Sequence, residues 1–279
     1  MKNFLGLAIG FLFAANAFAI PLPKGPDNHR MIAGNTSYHF DGIVALDDCS
    51  GSIIRFEKSN PKDQAMILTN GHCYDKGMPK PGTFVYHVPS TRTFGVFNDQ
   101  AKGVGTIHAT EAIYSTMTGT DITLYKLQET YQDIETKFSA HPYMLSSKHP
   151  APQTPIQVIS GYWRRGYTCS IEAFVFQLHE AGWIQKDSIR YSRPGCEVIG
   201  GTSGSPIIEA NTRNMIGINN TINENGEKCT MDNPCEVDAN GKTTATQGVG
   251  YGQETYLIYG CLNALNQFDL ATPGCGLFH

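Results

Sequence analysis

A short turn of small residues is the stretch of this 279-residue chain that could carry out chemistry most directly. Gly201 to Pro206 reads Gly-Thr-Ser-Gly-Ser-Pro and precedes the apolar pair Ile207-Ile208. Glycines around Ser203 allow positive φ and close approach of another chain, so the turn can expose the serine hydroxyl as a nucleophile. The backbone N–H groups of Gly201 and Ser203 could converge on a developing oxyanion. Such turns are also ordinary loops, so the rest of the chain has to supply catalytic partners.

A serine hydroxyl is a weak nucleophile near neutral pH and needs a histidine base and an acid that orients the histidine. Among nine histidines, His72 follows an apolar run and stands in a turn beside Cys73. Asp121 opens a segment of alternating polar and apolar residues, where a strand start can bury its carboxylate. Each residue also fits a purely structural role, a turn histidine or a capping aspartate. Asp133 is the alternative acid, but its polar flanks do not alternate.

The elements that must position these residues are short strands bounded by Gly, Pro, Asn or Asp. Seven runs in the first half predict strands: Ile43 to Leu46, Ser52 to Phe56, Met66 to Leu68, Phe84 to Val88, Phe94 to Phe97, Val104 to His108 and Ile122 to Leu127. Six follow in the second half: Ile156 to Ser160, Ala173 to Leu178, Ile189 to Tyr191, Ile207 to Glu209, Met215 to Ile218 and Gly248 to Tyr251. Four prolines predict an extended connector over 141–155, and apolar spacing predicts one helix over Glu254 to Phe268. This pattern predicts two packed β-barrels or a double sandwich.

The N-terminus has the three parts of a secretory signal peptide. Lys2 precedes an apolar run from Phe4 to Ala15, and Ala17-Phe18-Ala19 is a small-x-small cleavage site, so residues 1–19 are expected to be removed. No apolar stretch reaches the roughly 20 residues of a membrane helix, and we expect no membrane span. We therefore expect a secreted or periplasmic protein. The formal net charge of −4 and the lack of Lys/Arg blocks argue against nucleic acid as a partner.

An exported chain with an even number of cysteines is expected to form disulfides. All eight cysteines follow the signal peptide: Cys49, Cys73, Cys169, Cys196, Cys229, Cys235, Cys261 and Cys275. A zinc site would need paired cysteines at metal-ligand spacing or grouped histidines, and the sequence has no second close pair beside Cys229 and Cys235. We therefore expect no metal and no organic cofactor.

Taken together, these motifs resemble one family. The segments Cys49 to Ile54, Leu68 to Cys73, Asp121 to Leu127 and Gly201 to Pro206 occur in the order and rough spacing of the trypsin-like (chymotrypsin-fold) serine peptidases. The resemblance implies an all-β fold of two packed six-stranded antiparallel β-barrels with a C-terminal helix. It divides the chain into a propeptide or N-terminal extension (20–31), a first barrel (32–140), the connector (141–155), and a second barrel with helix and tail (156–279).

The resemblance also implies a role for each motif residue. Ser203 would be the nucleophile and His72 the general base and then acid. Asp121 would orient His72, and the N–H groups of Gly201 and Ser203 would form the oxyanion hole. The substrates would be proteins or peptides, and we expect a monomer. The family pairs the cysteine beside the histidine with the upstream one, here Cys73 with Cys49.

The other six cysteines allow fifteen pairings. We expect sequential disulfides, which are Cys169–Cys196, Cys229–Cys235 and Cys261–Cys275.

The residue before the serine departs from the digestive members of the family. Those enzymes have an aspartate there, which pairs with a new N-terminal ammonium after activation, whereas this chain has Thr202. That route of activation is therefore not expected. Gly-Thr-Ser-Gly-Ser-Pro is closer to the turn of secreted bacterial glutamyl-endopeptidase-like members.

The substrate pocket is implied to use residues just before the serine and the strand after it. These are Glu197, Val198, Asn219, Asn220 and Thr221. Glu197 at the pocket floor would favour a basic P1 residue, whereas a register shift near Cys196 would leave it solvated. Glutamyl-specific members use a pocket histidine, and Gly217 to Thr221 contains none, which argues against glutamate specificity.

Two other classes remain open. A non-catalytic secreted binding or adhesion protein could use the same scaffold, and a disulfide-rich structural domain could be unrelated to peptidases. The second alternative predicts that Ser203, His72 and Asp121 lie far apart.

Overall fold

A computed structural model describes residues 38–279. The expected signal peptide and the extension over 20–31 lie outside the described residues. The described part, Tyr38–His279, is almost entirely β-structure. None of its helices combines the length and hydropathy that crossing a bilayer requires.

Six antiparallel strands of the first half close on themselves. In order around the barrel they are β1 (Ile43–Ala45), β5 (Thr93–Phe97), β6 (Gly103–Thr116), β7 (Ile122–Thr130), β3 (Gln64–Thr69) and β2 (Ser50–Arg55), which pairs back with β1. A further strand, β4 (Phe84–Pro89), pairs with β6. The interior is filled by fully buried β-branched and aromatic side chains, among them Val44, Ile53, Ile67 and Phe94.

The second half forms a second closed ring of six antiparallel strands. In order they are β13 (Asn214–Ile222), β12 (Pro206–Glu209), β9 (Pro155–Ser160), β10 (Arg165–Glu180), β11 (Trp183–Tyr191) and β16 (Gly250–Glu254), which pairs back with β13. Two short strands extend β10 on one side, β14 (Cys235–Val237) and β15 (Thr243–Thr244). The expected all-β fold of two six-stranded barrels is confirmed.

Alternation along the strands packs the two barrels against each other. Ile53 faces the interior of the first barrel, and its neighbour Ile54 belongs to a different buried cluster. That cluster also contains Ile159, Ile208 and Ile218 of the second barrel. A strand places successive side chains on opposite faces, so one apolar run serves both the barrel core and the barrel interface. Each such side chain contributes about 1.5–3 kcal/mol when fully buried.

The chain between β7 and β9 contains two elements that the sequence patterns did not predict. The helix α1 (Tyr131–Phe138) is preceded by the N-cap residue Thr130, which forms a capping box with Asp133. Asp133, the alternative acid, therefore serves as a helix cap. The strand β8 (Tyr143–Leu145) lies in the proline-rich connector and pairs in parallel with β2 and β13, so it joins both barrels.

The predicted helix over Glu254 to Phe268 is wrong in length and type. Glu254 ends β16, and only a 3-10 helix over Tyr256–Cys261 follows. Leu262 is extended and bridges to Phe268, while Leu265 is 77% exposed. The Cys261–Cys275 disulfide and the turn it closes replace the continuation of the helix.

Candidate active site

A rigid turn holds His72 at the end of β3. The N–H of Cys73 donates to the Asn70 carbonyl at 3.2 Å, and that of Tyr74 to the Gly71 carbonyl at 3.0 Å. Cys73 is bonded to Cys49, which directly precedes β2. Gly71 has to be glycine, because a Cβ there would lie 2.9 Å from Asp121 Oδ1 and would also meet the backbone of Thr116. The turn therefore presents the imidazole in one orientation.

Both carboxylate oxygens of Asp121 accept hydrogen bonds from His72. Asp121 directly precedes β7, and its side chain is only 2% exposed. Oδ2 lies 2.8 Å from Nδ1 of His72, and Oδ1 lies 3.0 Å from its backbone nitrogen. Because an ionised carboxylate only accepts, Nδ1 carries the proton and Nε2 is left as the basic nitrogen of the neutral ring.

Opposing effects act on the pKa of His72. Burial favours the neutral ring, whereas the charge and hydrogen bond of Asp121 and the charge of Glu180 favour the imidazolium. The attractions outweigh the burial, so the pKa of His72 is raised above its usual 6.5.

Residues of the first barrel hold the turn that carries Ser203. The N–H of Ser50 donates to the Ser203 carbonyl at 2.7 Å, and the N–H of Gly204 donates to Oδ1 of Asn70. Gly204 has φ +75°, and a Cβ there would collide with the carbonyl of Ser50. Only glycine combines this φ with this close approach.

His72, Asp121 and Ser203 line one cleft. The Ser203 hydroxyl donates to the Asn220 carbonyl at 3.4 Å and makes no hydrogen bond to His72 within residues 38–279. A rotation about χ1 is the motion that would turn the hydroxyl away from Asn220. The structure thus brings the three predicted residues into one cleft, and His72 and Asp121 are hydrogen-bonded to each other.

The two N–H groups predicted to bind an oxyanion are not used elsewhere. Neither that of Gly201 nor that of Ser203 has an acceptor in the part of the chain that the structure describes. The indole Nε1 of Trp163 donates to the carbonyl of Gly200 at 2.7 Å. In a planar trans peptide that carbonyl and the following N–H point in opposite directions, so this contact sets the direction of the Gly201 N–H.

Thr202 occupies a buried hydroxyl network. Its Oγ1 donates to the carbonyl of Ile199 and accepts from Nδ2 of Asn219 at 3.1 Å. The hydroxyl of Tyr191 in turn donates to Oδ1 of Asn219 at 3.1 Å. Neutral hydrogen bonds therefore hold the position where digestive members of the family have an aspartate.

Four of the five predicted pocket residues line the cleft: Val198, Asn219, Asn220 and Thr221. The prediction for Glu197 is wrong, because its side chain is exposed and outside the cleft lining. Its neighbour Cys196 is tied to Cys169, and Val198 takes the inward position. The structure agrees with the alternative prediction, in which the side chain of Glu197 is exposed to solvent.

The cleft has a wall that the sequence motifs did not reveal. The hairpin of β10 and β11 turns at Ala181-Gly182, both with positive φ, and brings Glu180, Trp183 and Gln185 to the cleft. A two-residue turn with positive φ at both positions is a common hairpin turn, but its usual sequence signal is Asn-Gly, Asp-Gly or Gly-Gly rather than the Ala-Gly found here. Glu224 and Asp232 complete an acidic lining, and no lysine or arginine is among the described lining residues.

Glu180 is the acidic residue of this wall that acts on His72. Its Oε1 accepts from the N–H of Asp232 at 2.8 Å. Burial raises the pKa of Glu180 to about 7, although hydrogen bonds from Thr221 and Asp232 and the charge of His72 lower it.

The eight cysteines form four disulfides in the expected pairs. Four disulfides suggest an extracellular or periplasmic location.

The family model for the trypsin-like peptidase domain matches residues 49–218, which is more than half of the chain. The matched region includes His72, Asp121 and Ser203. The chain belongs to the trypsin-like peptidases. No curated protein matches the sequence of this trypsin-like chain.

Solved structures are similar to this trypsin-like chain at low sequence identity. The MamO protease domain from Magnetospirillum magneticum is 13% identical, with a TM-score of 0.50 over 81% of this chain and 98% of that one. The Rv3671c protease from M. tuberculosis, in its active form, is 13% identical with a TM-score of 0.46 over 84% and 83%. A glutamic acid specific serine protease is 12% identical with a TM-score of 0.41 over 77% and 92%.

Proposed function

We propose that this trypsin-like chain is a secreted serine endopeptidase that hydrolyses proteins through Ser203, His72 and Asp121. The observation that carries the proposal is the double hydrogen bond from His72 to Asp121, in the same cleft as Ser203. This double hydrogen bond leaves Nε2 of His72 free to act as a base in the cleft that Ser203 also lines, and Ser203 stands between Thr202 and Gly204 in the sequence. This combination suits acyl transfer.

In the proposed reaction, Ser203 rotates away from the Asn220 carbonyl toward Nε2 of His72. Nε2 takes the hydroxyl proton as Oγ attacks the substrate carbonyl, and Asp121 stabilises the imidazolium. The proton then passes to the leaving amine, and the C–N bond breaks to leave an ester on Ser203. Water attacks this ester with His72 again as base, which releases the acid and restores the hydroxyl.

The oxyanion of each tetrahedral intermediate would be bound by the N–H groups of Gly201 and Ser203. Support comes from the lack of any other acceptor for them in residues 38–279, and from the Trp163 contact that orients the Gly200–Gly201 peptide. Donors that are already oriented require no reorganisation during the reaction, and each contributes about 2.7–4 kcal/mol to the barrier reduction.

For the substrate class, we propose polypeptides with basic side chains near the scissile bond. Because Glu197 lies outside the cleft, the proposed preference rests on three acidic lining residues, Glu180, Glu224 and Asp232. The described lining residues include no lysine or arginine that would neutralise them. A cationic side chain is attracted to such a wall, and an acidic one is repelled. Glu180 is the strongest contributor in this proposal because it is the most enclosed and also acts on His72.

The proposed route to the active form is export followed by loss of residues 1–19, with removal of 20–31 as an optional second cut. The disulfides support an oxidising compartment. We also propose a monomer organised as first barrel (32–140), connector (141–155) and second barrel (156–279). The buried Thr202 network supports an oxyanion site that forms without a new N-terminal ammonium.

A fluorophosphonate probe tests the catalytic proposal. The folded protein should be labelled at Ser203 only, and Ser203→Ala should abolish both labelling and peptide hydrolysis. The matched control is Ser205→Ala, which removes a buried serine of the same turn and should keep labelling. A folded, processed protein that neither reacts with the probe nor cleaves any casein or peptide-library substrate would support the non-catalytic binding protein instead.

A further inference from the structure

Three titratable side chains meet at a place that does not belong to the cleft. His149 comes from the connector, Asp187 from β11 and Glu254 from the end of β16. Nε2 of His149 lies 3.2 Å from Asp187 Oδ2 and also 3.2 Å from Glu254 Oε1. None of the three lines the cleft of Ser203. The first barrel contributes no residue to this cluster, which we call the connector triad.

Glu254 is the residue of the connector triad that most needs a partner. Its side chain is only 2% exposed, and neither Oε1 nor Oε2 has a hydrogen bond partner among residues 38–279. A buried carboxylate without a partner is strongly unfavourable, so native proteins pair such groups or bind them to metal ions. Oε1 of Glu254 lies 3.2 Å from Nε2 of His149, which is within ion-pair distance, but the two groups are not aligned as a hydrogen bond.

The tautomer of His149 makes the need for a positive charge explicit. Nδ1 lies 2.7 Å from the carbonyl oxygen of Pro150, which can only accept, so Nδ1 carries a proton. The lone pair of the neutral ring is then on Nε2 and faces two carboxylates. A proton or a cation has to lie between these three groups. A ring nitrogen held by a backbone carbonyl is also the arrangement found around metal-binding histidines.

The positions of the side chains are held from outside. The His149 ring packs edge-on against Phe174 and Tyr256, with centroids 4.4 and 5.2 Å away. The hydroxyl of Tyr256 donates to Asp187 Oδ2 at 3.3 Å. Asp187 has φ +55°, a backbone conformation that aspartate tolerates better than most residues. The ligand atoms are thus oriented by packing and a second layer of hydrogen bonds.

The spacing fits a small tetrahedral ion. Bonds of about 2.0–2.1 Å to nitrogen and oxygen at tetrahedral angles put neighbouring ligand atoms about 3.3 Å apart. Both measured separations from Nε2 are 3.2 Å. Two carboxylates balance a double positive charge, and one imidazole favours zinc over the all-oxygen ions calcium and magnesium. His149 and Asp187 are each 39% exposed, so an ion and a water ligand can enter from solvent.

We propose that His149, Asp187 and Glu254 bind a zinc ion, with water as the fourth ligand. The ion would join the connector to two neighbouring strands of the second barrel, and it would take no part in the proposed peptidase reaction because its ligands lie outside the cleft. The sequence patterns did not indicate this site, because its three ligands are separated by 38 and 67 positions and include no cysteine.

The competing occupant is a proton. Without a cation, burial and the neighbouring Asp187 raise the pKa of Glu254 to about 10. Glu254 would then be neutral at pH 7 and would itself donate a hydrogen bond within the triad.

Zinc titration of the EDTA-treated, dialysed protein decides between the two occupants. Calorimetry with ZnCl2 should show one equivalent bound, and the melting temperature should rise by about 5 °C at a zinc concentration 100 times Kd. Calcium and magnesium should bind far more weakly. Cobalt in place of zinc should give the intense visible bands of a tetrahedral complex.

Matched variants assign the site. Glu254→Gln, His149→Ala and the surface variant Asp187→Asn should each weaken zinc binding at least tenfold. His108→Ala removes a histidine paired with a single carboxylate, Glu129, and should leave zinc binding unchanged. Absence of tight zinc binding by the wild-type protein, or equal binding by the folded Asp187→Asn variant, would overturn the proposal and leave the proton as occupant.

Discussion

The indole N–H of Trp163 donates at 2.7 Å to the carbonyl of Gly200, which belongs to the same peptide unit as the Gly201 N–H predicted to bind the oxyanion. The Trp163 ring is itself packed edge-on against Tyr162 at 4.9 Å. Together with the buried hydroxyl of Thr202, this contact holds the segment before Ser203 through neutral groups only. We therefore expect the oxyanion site to form without a charge pair to a new N-terminus.

Trp163→Phe should lower kcat roughly tenfold or more with little change in KM. The substitution keeps the aromatic packing but frees the Gly200–Gly201 peptide, so the loss falls on the transition state rather than on substrate binding. Steady-state kinetics on a peptide substrate measures the effect. Trp183→Phe is the control, since it removes another indole hydrogen bond of the cleft, to Pro79, and should alter KM more than kcat. Equal effects of the two variants on kcat would contradict the assigned role of Trp163.

Asp121→Asn should reduce kcat by about ten-thousandfold, as expected when the orienting acid of such a triad is replaced by an amide. The pH profile should move as well. Asp121 raises the pKa of His72 above 6.5, and His72 acts as a base only when deprotonated. The wild-type kcat/KM should therefore rise with pH through a midpoint above 6.5, and the variant's midpoint should lie lower. An unchanged midpoint would show that His72 is not the titrating base.

Glu180→Gln should weaken the preference for basic residues in a peptide library. The pKa of Glu180 is about 7, so the wild-type preference should strengthen as pH rises through 7 and Glu180 becomes charged. In the variant this pH dependence should disappear. Glu197→Gln changes the same charge at an exposed position outside the cleft lining and should leave the preference intact. If Glu197→Gln has the larger effect, the proposed role of Glu180 is contradicted.

Gly201→Ala should destabilise the protein and abolish activity. Gly201 has φ +84°, and a Cβ there would lie 2.8 Å from Tyr162 Cδ1 and 2.9 Å from Trp163 Nε1. The left-handed conformation alone costs an alanine about 1–2 kcal/mol. Urea unfolding should show at least this loss. Gly200→Ala is the neighbouring control, because its Cβ would meet no atom within 4 Å, and its free energy of unfolding should stay close to wild type.

Glu180 and Glu197 illustrate where sequence reasoning reached its limit. Counting back from Ser203 led to Glu197, but the Cys169–Cys196 disulfide and the inward Val198 turn its side chain outward. Glu180 stands 23 positions before Ser203 at the tip of a hairpin. Its place in the cleft depends on how far β10 and β11 extend, and strand length is decided by pairing rather than by local composition.

The C-terminal segment shows the same limit for helices. Apolar spacing over Glu254 to Phe268 fits a helix, yet the pairing of β16 with β13 takes Glu254 into the sheet. The overlooked helix α1, by contrast, carries a local signal in its Thr130 and Asp133 capping box. A capping signal can be read from the sequence, whereas competition between sheet and helix depends on distant partners.

By itself, the sequence determined the class of the protein through the barrel strands and the motifs around His72, Asp121 and Ser203. These are local patterns, set by side-chain alternation, turn-forming glycines and neighbouring residue types. Only the tertiary structure decided which acidic residues enter the cleft, how Trp163 orients the Gly200 peptide, and that His149, Asp187 and Glu254 meet. Each of these is a contact between distant segments, and such contacts exist only once the barrels have closed and packed.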